Sequence, residues 1–166
     1  VLVQNSKLNN LIQNIVPQYT IGNDLIYKYD TETQFWAGNE FLYFENKDIK
    51  AAANNIAKID ANTAIYGSRL FTNAARANFQ YTNNQDINGN FVVKNINAAN
   101  SEIEADYAWV YFSLSAPTFR SNKDIYVTGM FNNYSFTSEY KMEYNPTKAL
   151  YEKAILLTQG FTNFQY

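Results

Sequence analysis

From Leu25 to its last residue the chain keeps returning to one pattern. Apolar and polar residues alternate for a few positions, and then Asn, Gly or Pro intervenes. A period of two gives each face of an extended strand its own set of side chains, whereas an apolar stripe along a helix needs a period near 3.6. Leu25, Tyr27 and Tyr29 alternate with Ile26 and Lys28, and Phe41, Tyr43 and Glu45 alternate with Leu42, Phe44 and Asn46. Further strands are expected at Asn55–Ile59, Thr63–Leu70, Phe91–Val93, Asp124–Met130, Lys141–Tyr144, Leu150–Leu157 and Phe161–Tyr166. Short strands at roughly ten-residue spacing, with turn signals between them, predict an all-β sandwich.

The turn chemistry falls largely to asparagine. There are 24 Asn against 6 Gly and 3 Pro, and Asn tolerates the left-handed backbone that tight turns need. Ile21–Asp24 and Ala37–Asn39 read as turns. Asn88–Gly89 is the strongest short-range hairpin signal, because both residues accept positive φ. Tyr107, Trp109, Tyr111 and Ser113 alternate with Ala108, Val110, Phe112 and Leu114, so both faces of this strand are apolar. That predicts a central strand between two packed layers, with Trp109 in the core. Ala98–Glu104 is small and polar, and it predicts a domain boundary. The chain starts at Val1 rather than Met and stops at Tyr166 inside an alternating pattern, which predicts a fragment of a longer protein.

Histidine and cysteine are both absent. Ser/His/Asp and Cys/His catalysis are therefore excluded, as are thiolate metal sites and disulfides. The formal charge is -2, and Arg69, Arg76 and Arg120 are scattered, so no basic stripe invites nucleic acid. There is no Gly-rich phosphate loop and no apolar run of about 18 residues, so no membrane insertion by a helix is expected. Glu102, Glu104 and Asp106 would share a face if they lay in a strand, where they could bind a cation or do acid–base work; a solvated strand end is the plainer reading. Asp86, Asn88 and Asn90 have the alternate spacing of a calcium loop, but Gly89 is at the fourth position rather than the sixth and no Glu follows, so a hairpin is expected. Among aromatics, Trp36 precedes the turn at Gly38. Tyr134 follows Asn132 and Asn133 at a loop tip, where it could display a binding ring or close the end of the sandwich.

Asp124–Tyr134, with its Gly129–Met–Phe–Asn–Asn–Tyr134 run, then Lys141–Tyr144, Leu150–Gly160 and Phe161–Tyr166, resemble the glycogen-binding type of carbohydrate module. That resemblance implies an immunoglobulin-like sandwich and a glycan ligand. Tyr134 stands where that family has a sugar-stacking Trp. A wider resemblance covers nearly the whole chain. Phe35–Phe41, Asp86–Phe91, Glu104–Leu114 and Leu157–Tyr166 are similar to blocks of the plug protein family of the type IX secretion system, in the same order and at similar spacing. It implies a periplasmic, outer-membrane-associated protein of a diderm bacterium that occludes the translocon from the periplasmic side. It supplies no catalytic residue.

The expected architecture is therefore two immunoglobulin-like β-sandwich domains, residues 1–100 with incomplete amino-terminal strands and residues 101–166, truncated at the carboxyl terminus. The expected function is non-catalytic, without metal or cofactor: binding or plugging an outer-membrane translocon protein, with carbohydrate binding as the alternative. Tyr134, Asn132, Asn133 and Trp36 are the expected contacts.

Overall fold

The computed structural model describes residues 1–3, 11–35, 41–61, 64–76, 86–119 and 122–166. Two compact units divide the chain, Val1–Gly38 and Asn39–Tyr166. All regular structure among the described residues is β-strand or single 3-10 turns, so the chain is all-β as expected.

The first unit holds two small ladders. β1 (Leu2–Val3) pairs with β2 (Leu11–Ile12), and β3 (Tyr19–Ile21) pairs with β4 (Asp24–Ile26), all antiparallel. The β3–β4 hairpin turns on Gly22 at φ 59°, the backbone expected of this turn signal.

The second unit is a two-layered sandwich. Its larger sheet runs β11 (Glu143–Asn145), β12 (Leu150–Thr158), β10 (Tyr107–Ser115), β7 (Gly67–Leu70) and β6 (Ile56–Asp60), and β8 (Asn73–Ala74) also pairs with β10. β10 is antiparallel to β12 and parallel to β7. The smaller sheet is β5 (Leu42–Glu45), β13 (Gly160–Phe164) and β9 (Phe91–Val93), with β13 in the middle. Phe44 and Phe164 of the smaller sheet meet Phe112 of the larger one edge-on, with ring centroids 6.0 and 5.0 Å away. Val110, Leu114, Ile155, Leu157, Ile56 and Leu70 complete the core. Edge-to-face rings at such distances add to the burial of apolar area, which is the main term holding the layers together.

Gln159 and Gly160 carry the chain from one sheet to the other. The Gln159 side chain is buried; its Oε1 accepts the Asp106 N–H at 3.2 Å and its Nε2 donates to the Lys47 carbonyl at 2.8 Å. A Cβ at residue 160 would collide with the Val92 carbonyl, so only Gly allows β13 to approach β9 this closely.

No division falls near residue 100. β5, β7 and β9 pair with β13 and β10 across the expected boundary, so residues 41–166 build one sandwich rather than parts of two. Residues 95–104 form a closed polar loop. Asn95 N–H donates to Ser101 O at 2.8 Å, Ser101 Oγ donates to Asn95 O at 2.7 Å, and Asn95 Nδ2 donates to Glu104 O at 2.9 Å. Small polar residues serve a tight loop as readily as a linker, so composition alone could not separate the two.

Candidate functional site

One end of the sandwich gathers residues far apart in sequence. The turn at Ile87–Asn90 is closed by the Asn90 N–H on the Ile87 carbonyl at 3.2 Å, with Asn88 and Gly89 at φ 55° and 80°. These are the positive φ values expected of the Asn-Gly step. Asp86 Oδ1 accepts the Asn88 N–H at 2.8 Å, and its Oδ2 accepts the Phe41 N–H at 3.3 Å. Asn163 Oδ1 accepts the N–H groups of Ile87 and Gly89, each at 3.1 Å, and the Asn163 N–H donates to Asn90 O at 3.0 Å. Asp86 thus spends its carboxylate on the backbone, in agreement with a turn rather than a calcium loop.

Tyr134 belongs to the same junction. Its hydroxyl donates to the Gly89 carbonyl at 2.8 Å, and its ring lies 6.2 Å from that of Phe41. Burial, and then the Asp86 carboxylate, push its hydroxyl pKa above the usual tyrosine value. A Cβ at Gly89 would strike that hydroxyl. Tyr134 is placed there by two consecutive left-handed residues, Asn133 at φ 50° and Tyr134 itself at 55°. Asn132 makes this bend possible from inside. Its Oδ1 accepts the Gly129 N–H at 3.0 Å, and its Nδ2 donates to Val127 O at 3.2 Å and Ser135 O at 3.4 Å. Of the expected contacts, Tyr134 therefore closes the sandwich end, Asn132 is buried and Asn133 is exposed. Trp36 lies outside the described residues.

The acidic trio does not share a strand face. Glu102 and Glu104 lie in the turns before β10, and Asp106 precedes its first residue. Glu104 Oε1 accepts the Asn100 N–H at 2.9 Å and thereby fastens the loop. The strand expected at Asp124–Met130 appears as two isolated bridges, Tyr126 to Lys141 and Thr128 to Gln165. No group of three acidic residues suited to a metal occurs among the described residues.

Sequence reasoning missed the outer face of the larger sheet. On β10, Ala108, Val110, Phe112 and Leu114 point into the core, while Trp109 is 38% and Tyr107 57% exposed. Leu156, opposite Trp109 on β12, is 40% exposed. β10 is central within its sheet but is not covered on both faces, so Trp109 is a surface residue. Farther along the same face lies a cleft of about 880 Å³ with Tyr111 and Ser113 on its floor. Arg69 stacks 4.2 Å from the Tyr111 ring centre and donates through Nε to Asp60 at 2.5 Å. Across the cleft, Glu152 accepts from Lys148 at 2.8 Å and Asn145 at 2.7 Å. Lys148, and next Asn145, hold its carboxyl below the ordinary value.

This fold has a solved counterpart. The chain superposes on the crystal structure of a hypothetical protein from Parabacteroides merdae ATCC 43184 with a TM-score of 0.75 and 30% identity. The match covers 90% of this chain and 37% of that one, so the chain spans little more than a third of its counterpart's length. No protein-family model matches the chain, and no curated protein matches it. No helix among the described residues is long and apolar enough to cross a membrane.

Proposed function

We propose that this chain is a non-catalytic binding component of a bacterial protein export apparatus that occludes the outer-membrane translocon from the periplasmic side. The observation that carries the reading is the convergence of the sequence blocks that resemble the plug family. Phe41 ends the first block, Asp86–Phe91 is the second, and Asn163 lies in the last. All three meet through the hydrogen bonds of Asp86 and Asn163. The remaining block, Glu104–Leu114, is the strand whose inner face carries Phe112 into the shared core. Blocks that depend on one another in space support a common fold-level origin better than four separate matches would.

The exposed Tyr107, Trp109 and Leu156 favour a binding role. Aromatic side chains at an uncovered surface are the residue types that dominate protein interfaces. Occlusion gives a direct test. Deleting the gene in the organism that encodes it should leave the pore open and raise outer-membrane permeability to large hydrophilic antibiotics. Unchanged permeability, with the translocon still assembled, would contradict the proposal.

A further inference from the structure

We infer that the chain holds the translocon through the end of the sandwich opposite Tyr134, where Ile103, Tyr107, Trp109 and Leu156 enter an apolar pocket rimmed by basic side chains. The inference rests on the export reading and names its contact surface. β9 leaves the Ile87–Asn90 turn beside Tyr134 and delivers the chain to Asn95 at the other end. There residues 95–104 cross from the smaller sheet to β10 in the larger one. Besides the bonds among Asn95, Ser101 and Glu104, the Asn100 carbonyl accepts the N–H groups of Ile103 at 3.0 Å and Glu104 at 2.9 Å, and the Ile96 N–H donates to the Lys47 carbonyl at 3.1 Å. This pinned loop leaves Ile103 84% exposed. Four residues on, Tyr107 begins the open outer face of β10, and Trp109 lies beside Leu156 across the ladder. A single exposed apolar side chain is ordinary. Several at one end, one of them displayed by a hydrogen-bonded loop, mark an interaction site. A knob fixed before binding loses little entropy on entering a pocket, and Trp and Tyr are the usual anchors around it.

Charge selects the occupant. Residues 95–109 contain three acids, Glu102, Glu104 and Asp106, and no Lys or Arg. All three are exposed, and none is in an ion pair among the described residues. Of the cations flanking the loop and the shelf, Lys47 is matched by Glu45 at 2.9 Å, and Arg69 and Lys58 are matched by Asp60. That leaves one cation, Lys94, against the three acids. A second copy docking about a two-fold axis would set these acids against themselves, and an anionic lipid surface would repel them. A protein pocket with an apolar floor and a basic rim satisfies both the shelf and the acids.

Binding of the purified chain to the purified, immobilised translocon, followed by surface plasmon resonance, tests the inference. Ile103→Ala and Trp109→Ala should each raise Kd by about tenfold or more, and Ile103→Leu by much less. Val92→Ala, on the outer face of the smaller sheet, should leave Kd unchanged. Glu102→Lys reverses a rim charge, so it should slow association and flatten the salt dependence. Melting temperatures should stay close to the parent's. If the parent binds and the folded Ile103→Ala and Trp109→Ala variants bind equally well, the inference is overturned and the export reading stands. Absence of binding by the parent would contradict the export reading and the inference with it. Ile103-dependent binding to phosphatidylglycerol vesicles in place of the translocon, or an Ile103-dependent dimer in sedimentation, would overturn the inference and assign this end to a lipid surface or a second copy.

Discussion

Asn163 is fully buried, and its Oδ1 ties down two backbone N–H groups of the Ile87–Asn90 turn. Its own Nδ2 has no partner among the described residues. Removing the side chain leaves one buried and one half-buried N–H donor without an acceptor, at about 1–3 kcal/mol for the buried one and less for the other. Asn163→Ala should therefore lower stability by roughly 2–4 kcal/mol, read from the urea midpoint at unchanged slope. Tyr134→Phe removes one hydrogen bond and keeps the ring against Phe41, so its cost should be about 1 kcal/mol. Glu152 sets an acid dependence. Its folded pKa is depressed from the ordinary 4.5, so its contribution is present above that value and is lost as pH falls through the lower folded one. Glu152→Gln should shrink the drop in melting temperature between about pH 6 and about pH 3. An undiminished drop would remove Glu152 from the account.

β10 separates the two kinds of surface on one strand. Phe112→Ala should cost about 3–5 kcal/mol, since it empties the aromatic centre of the core, whereas Trp109→Ala on the outer face should cost about 1 kcal/mol. Equal losses would mean that the outer face is covered in solution. This is also where sequence reasoning reached its limit. Alternation found β5, β10, β12 and β13 to within a residue or two, and Asn-Gly marked the positive-φ turn. But Tyr and Trp count as apolar in any pattern, although both tolerate a wet face, so alternation could not tell a covered face of β10 from an open one. Tyr134 shows the same limit. A loop-tip aromatic after two Asn can be displayed or can close the sandwich end, and only the left-handed bend at Asn133 and Tyr134, which turns its hydroxyl back onto Gly89, decides between them. The cleft residues were illegible for a different reason. Lys58, Arg69, Ser113 and Glu152 come from four strands, and only the pairing of β6, β7, β10 and β12 brings them together.

The same pairing makes residues 41–166 interdependent. β13 takes both its neighbours, β5 and β9, from before residue 100, and β10 takes β7 from there too. A fragment of residues 101–166 should show no cooperative unfolding transition, because its apolar faces would have no second layer. A sharp transition in that fragment would restore the two-sandwich division. In the whole protein, the same fold presents an aromatic outer face suited to a partner. Affinity isolation of the tagged protein from the envelope of the organism that encodes it, with no cargo in transit, tests the occlusion reading most directly. The account predicts that the outer-membrane translocon is recovered in near-stoichiometric amount and is released when cargo engages. Recovery of the tagged protein without the translocon, under those conditions, would contradict it.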